Sequence, residues 1–173
     1  MPFQPDGIWR SPYNGDVWKM SEGPDQYRRA LYTFWKRTAP YPSMITFDGA
    51  SRAVCVTRRI RTNTPLQALT TLNDSAFFVF ARSFALRMQK SGSKEIAKQI
   101  ENGYEYLMYK TITAPKLDAL IRLYGKAFES FKLDKKAAAA ITGEKEEEVL
   151  PETAALTVVA NAMLNMDEWV SKN

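Results

Sequence analysis

Arg52, Arg58, Arg59 and Arg61 crowd into one short stretch close to Asp48, after Arg28, Arg29 and Arg37. Converging guanidinium groups are the usual protein answer to phosphate, sulfate, carboxylate or a cofactor propionate, because the planar fork meets two oxygens at once. A candidate anion site therefore comprises Arg52, Arg58, Arg59 and Arg61 with Asp48 and Asp74 nearby. The same residues have a structural reading, which is preferred. Arginines paired with Asp48, Asp74 and helix C-terminal carbonyls would fix a long loop whose backbone groups all need partners. A nucleic-acid surface fits less well, since the basic residues form neither a lysine-rich face nor a known binding motif.

Other chemistry is excluded by what the chain lacks. It contains no histidine, so no Ser-His-Asp or Cys-His pair, no His-ligated metal and no CxxCH haem attachment can be built from it. Cys55 is the only cysteine, which rules out an internal disulfide and a Cys-based zinc site. Neighbouring arginines would favour a reactive Cys55 thiolate. The apolar flanks Val54 and Val56 favour a buried structural cysteine instead, and that is the expectation. Asn63, Gln67, Asn73 and Asp74 read as caps and loop anchors. Asp167 and Glu168 are adjacent, so on a helix they point about 100° apart, as expected of a solvated face. No catalytic residue, metal site or cofactor is assigned to this chain. Trp9, Tyr13, Trp18, Tyr32, Phe34, Trp35 and Tyr41 could stack on sugar rings, but core and coil-pinning roles are preferred.

The elements that must position these residues read as mainly helical. The chain has 173 residues, 45% hydrophobic and 25% charged, a globular composition. It has no apolar run of the roughly 18 residues needed to span a membrane. Its opening, MPFQPDGIW, lacks the pattern of a signal peptide and reads like sequence from within a longer protein. Ten of the eleven arginines lie in residues 1–90, so the first half is the part suited to fixed polar contacts.

Residues 1–23 read as an ordered coil, rich in proline and pinned by aromatics. The spacing of Tyr27, Leu31, Phe34 and Trp35 predicts a helix over about 24–37, with a strand as the competing reading of the alternation in 31–35. Pro40 and Pro42 should end that element, and 43–61 should be a loop with one or two short extended pieces. Thr64, Pro65 and Gln67 form a capping box that starts a helix carrying Leu66, Leu69 and Leu72. Asn73 and Asp74 would kink it or cap a second helix through Met88, which Gly92 closes. A helix from Ser93 or Lys94 to about Lys110 follows, then one from Thr113 and Pro115 carrying Leu117, Leu120, Ile121, Tyr124, Phe128 and Phe131. Asp134 caps an alanine-rich helix ending at Gly143, and residues 144–148 form a solvated acidic connector. Pro151 begins a last helix with Leu156, Val159, Met163 and Leu164 in the core. The expected fold is an irregular helical bundle with an aromatic- and Pro-rich N-terminal coil and a long Arg-rich loop. It forms a single domain over 1–173: coil 1–23, helix or strand plus loop 24–62, bundle 63–173.

The segment YRRALYTFWKRTAPYPSMITFDGASRAVCVTRRIRTNTPLQALTTLND (27–74) and the ending LNMDEW (164–169) resemble a known family. It is the planctomycete-type, cytochrome-c-associated domain of unknown function. Arg28, Arg29, Leu31, Tyr32, Phe47, Asp48, Arg52, Cys55, Arg58 and Arg59 carry the pattern, with TNTPLQAL and LND. The resemblance implies the C-terminal half of that domain, within large exported proteins at the periplasm or cell surface. A cytochrome-c-like domain and another domain would precede it, and any haem would sit upstream, leaving no cofactor in this chain. No activity comes with the resemblance. The expected role is a non-catalytic helical packing module that contacts upstream domains mainly through 47–74. The alternative is an anion- or polysaccharide-binding part of an enzyme, using Arg58, Arg59, Asp48 and Asp74 with residues from outside this chain. A small anion or glycan is the ligand class that such a part would take.

Overall fold

Proline placement and side-chain caps set where the helices begin. Pro24, Pro42, Pro65, Pro115 and Pro151 each occupy the first turn of a helical element, where the missing N–H is unneeded and the fixed φ is already helical. The computed structural model describes residues 18–170 other than 38, 51, 59, 61 and 92. Among these the regular structure is helical, as the sequence predicts. The α-helices are α1 (Pro42–Thr46), α2 (Pro65–Asn73), α3 (Ser75–Gln89), α4 (Ile96–Met108), α5 (Ala114–Leu133), α6 (Lys135–Thr142), α7 (Pro151–Leu164) and α8 (Asp167–Val170). The chain divides into two compact units, Met1–Gln67 and Ala68–Asn173. The expected coil over 1–17, Arg59, Arg61 and the helix-closing Gly92 lie outside the described residues.

In the first unit, the stretch 24–37 is neither the predicted helix nor a strand. It holds two short 3-10 turns, Gly23–Tyr27 and Ala30–Tyr32. Tyr27, Leu31, Tyr32 and Phe34 all stay exposed, so a helix here would bury no apolar face to offset the ordering of its backbone. Pinning by aromatics does occur: the Trp18 and Tyr41 rings stack with centroids 5.6 Å apart and planes within 5°. Pro42, expected to end the preceding element, begins α1 instead. No strand forms among the described residues of 43–61.

The second unit is built around α7. This helix packs against α3, α5, α6 and α8 and buries residues on nearly every side, among them Ala154, Ala155, Leu156, Val159, Ala160, Met163 and Leu164. A helix that is apolar all round belongs in the middle of a bundle. Its alanines let neighbouring helices approach. Full burial of a side chain such as Leu156 or Met163 contributes about 1.5–3 kcal/mol. Around α7 the other helices present narrower stripes: Ala81, Phe84, Ala85 and Met88 from α3, and Ile100, Tyr104 and Met108 from α4. The expected caps hold. Asp74 accepts from the Ala76 N–H at 2.8 Å to start α3, and Asp134 accepts from the Ala137 N–H at 2.9 Å to start α6. Gly143 ends α6 at φ +68, and the guanidinium of Arg82, which donates to the Ile141 carbonyl at 3.0 Å, fills the space a Cβ would need.

Candidate functional site

Of the residues singled out from the sequence, Asp48, Thr64 and Gln67 meet around the C-terminal end of α1. There the chain turns by a Schellman motif: the Gly49 N–H reaches the Met44 carbonyl and the Asp48 N–H reaches the Ile45 carbonyl at 3.1 Å. Such a turn needs a left-handed residue after the helix, usually glycine. Here Asp48 takes that conformation at φ 57, which aspartate tolerates better than most residues. Gly49 must be glycine for a different reason, since a Cβ there would stand 2.5 Å from the Met44 carbonyl oxygen.

This turn aims the Asp48 carboxylate at Thr62, 14 positions along the chain. It accepts the Thr62 backbone N–H at 2.8 Å and the Thr62 hydroxyl, and Gln67 Nε2 lies 3.3 Å from it. Gln67, only 2% exposed, joins this turn to the start of α2. Its Nε2 donates to the Thr46 carbonyl at 2.8 Å and to the Thr62 hydroxyl at 3.0 Å. Its Oε1 accepts the Thr64 N–H, and its own N–H donates to the Thr64 hydroxyl at 3.3 Å. The capping box predicted from Thr64, Pro65 and Gln67 is thus present, and its glutamine also closes the loop 49–61 at its base.

Arg52 and Arg58 take no part in that arrangement among the described contacts. Arg52 is also left-handed, at φ 57, and its guanidinium carbon lies 5.4 Å from the centroid of the Trp35 ring, a cation–π contact. Arg58 is exposed. The placement of Arg59 and Arg61 lies outside the described residues. Cys55 is exposed rather than buried, and its neighbours explain why: Val54 is 71% and Val56 51% exposed, so the apolar flanks mark a protruding loop and not a core segment. Asp74 is engaged as the cap of α3, and Asn73 donates to the Leu69 carbonyl at 2.9 Å. Thr62 is the member of the network that sequence reasoning missed. The Asp48, Gly49 dipeptide was a turn signal, but nothing in the local pattern of 49–61 pointed back to its base.

Two further polar clusters lie in the second unit. Glu168 is exposed, as expected of a solvated face, and there it accepts from the Tyr104 hydroxyl and from the Lys116 ammonium, which ties α8 to α4 and α5. The hydrogen bond from Lys116, then that from Tyr104, lowers the Glu168 carboxyl below the ordinary carboxylate range. Burial first, and the hydrogen bond to Glu168 second, raises the Tyr104 phenol. The hydrogen bond to Glu168 raises Lys116. The second cluster is a polar ladder along α7. Gln89 donates to the Thr153 hydroxyl at 3.0 Å, Thr157 bonds back to the Thr153 carbonyl, and Thr71 donates to the Asn165 side-chain oxygen. Asn161 lies between, 6% exposed, with both side-chain amide atoms buried and unpartnered. Among the described residues, no group of three or more His, Cys, Asp or Glu gathers to hold a metal ion. No helix among them is long and apolar enough to cross a membrane.

Residues 2–124 match the model of the family described as PSD1, protein of unknown function (DUF1553). The chain belongs to this family. The matched range contains the whole 27–74 segment with the Asp48, Thr62 and Gln67 network, and it ends before α6. No curated protein and no solved structure matches the chain.

Proposed function

We propose that this DUF1553 chain is a non-catalytic helical packing module of an exported, redox-linked multidomain bacterial protein, with the segment 47–74 as its main contact surface. The observation that carries the reading is a set of large apolar side chains exposed along that segment on a backbone held at its base. Val54, Val56 and Ile60 protrude from the loop, and Leu66, Leu69 and Leu72 line α2 at three-residue spacing, all exposed. Apolar side chains displayed this way next to polar ones mark contact sites, and loops tied to a scaffold are where proteins place recognition. Both carboxylates of the alternative anion or polysaccharide site have structural work: Asp48 receives Thr62 and Gln67, and Asp74 caps α3. The partners are upstream domains of a longer protein, and the periplasmic or cell-surface, redox-linked setting rests on the resemblance to the cytochrome-c-associated domain.

Thermal unfolding separates the two readings. Val54→Ser, Val56→Ser and Ile60→Ser should change stability by no more than about 0.5 kcal/mol each, as expected of surface positions. Sulfate, phosphate and sulfated oligosaccharides should give no saturable rise in Tm. A saturable rise that Arg58→Ala abolishes would replace the contact reading with the anion site, since a ligand specific to the folded state adds about 2.7 kcal/mol at a hundredfold excess over its Kd.

A further inference from the structure

The loop 49–61 is tied at its base by Asp48, Thr62 and Gln67, yet its middle makes little use of its own backbone. Residues 54–58 form no backbone hydrogen bond among the described residues, and all five are exposed. Val54, Val56 and Thr57 are β-branched, a composition that favours a paired, extended backbone. The chain bends at Val54 and again at Thr57 and Arg58, and the exposed N–H and C=O groups of Cys55 and Val56 between these bends, with such side chains beside them, are a template for a short added strand. Charge narrows the choice of strand. The loop 49–61 holds four arginines and no aspartate or glutamate, and the exposed Arg52 and Arg58 stand just before and at the end of the unpaired stretch.

We propose that residues 54–58 are a docking edge for an extended, acidic segment of a partner protein. Its backbone pairs with that of 54–58, and its carboxylates meet Arg52 and Arg58. This rests on the contact-surface reading and adds the chemistry of the partner to it. The guanidinium fork matches a carboxylate in two hydrogen bonds, and a strand supplies the donors and acceptors that 54–58 lacks. An anionic bilayer would attract the same arginines and valines but would leave those backbone groups unpaired in an apolar medium, which is costly. Closure of the loop by Asp48 and Thr62 pre-organises the edge, so less order is lost on docking.

Amide hydrogen exchange, followed by NMR on the isotope-labelled chain, tests this. Three probes are added separately: an alternating glutamate–valine peptide, a copy N-methylated at alternate residues, and phosphatidylserine vesicles. The acidic peptide alone should slow every second amide within 54–58, by about tenfold or more, as hydrogen-bonded amides are protected. Arg58→Glu, at an exposed position, should weaken that binding by about tenfold while leaving the spectrum of the free chain otherwise unchanged. Absence of peptide binding overturns the proposal, as does protection without the two-residue period. Equal binding of the N-methylated copy removes the strand pairing and leaves the contact surface standing. Protection by vesicles alone assigns the loop to a membrane surface and overturns the acidic strand. The contact-surface reading fails by a separate readout, the reactivity of Cys55 in the native protein.

Discussion

Asp48 and Thr62 close a loop between them: the carboxylate of one accepts both the backbone N–H, at 2.8 Å, and the hydroxyl of the other. Asp48 does so from a left-handed backbone that most residues resist, so its identity answers two demands together. Asp48→Asn keeps a side chain tolerant of that backbone and one accepting oxygen, and should cost about 1 kcal/mol. Asp48→Ala keeps the strain and loses the acceptor, and should cost about 3 kcal/mol. Urea unfolding followed by tryptophan fluorescence measures both, and a reversed order would remove the carboxylate from its role at the loop base.

Gln67 is the second half of that closure. Gln67→Ala leaves the Thr46 carbonyl and the Thr62 hydroxyl without their donor and should destabilise by about 2–3 kcal/mol. Thr64→Ala removes only the cap and should cost about 1 kcal/mol. Combined with Asp48→Asn, Gln67→Ala should be non-additive by at least about 0.5 kcal/mol, as for residues in one network. Strict additivity in the double-mutant cycle would mean that the two side chains act apart.

Legibility in the sequence followed how local the governing physics is. The caps at Thr64, Asp74 and Asp134, and the core positions of α7, were readable because each depends on residues a turn or two away. Tyr27, Leu31 and Phe34 have helical spacing yet stay exposed, and periodicity does not report how much of a face is buried. Cys55 was misplaced for the same reason, since apolar neighbours look alike in a core strand and on a projecting loop. The candidate site was half visible. Asp48, Thr64 and Gln67 were singled out, whereas Thr62 joins them through closure of a loop, and Glu168 meets Tyr104 and Lys116 only once α8 folds back.

Asn161 places two unpartnered amide atoms in the most buried helix. Asn161→Leu, which keeps the branching at Cγ, should raise stability by about 1–2 kcal/mol, because it removes unsatisfied polar groups from an apolar setting. Chemical denaturation measures the change. A loss instead would show that the amide is satisfied by ordered water and belongs to the polar ladder.

The Glu168 cluster predicts a pH dependence of definite sign. A carboxyl lowered in the folded state contributes stability above its unfolded pKa of about 4.3, and that contribution is lost as pH falls through the lower folded value. Lys116 and Tyr104 are raised on folding, so their contributions are present below the unfolded values of about 10.4 and 10 and fade as pH rises through the folded ones. Tm measured against pH should therefore lose part of its acid limb in Glu168→Gln. An unchanged acid limb would show that α8 docks without the carboxylate.

The most direct test of the contact surface is the alkylation rate of Cys55, measured on the purified chain and on the native protein in extracts of cells that make it. The account predicts a thiol that reacts freely in the purified chain and about tenfold or more slowly where the surface is covered. Val54→Asp with Val56→Asp should restore the fast rate in the extract without unfolding the chain. Equal rates in both settings would contradict the claim that the Arg-rich loop is a contact surface.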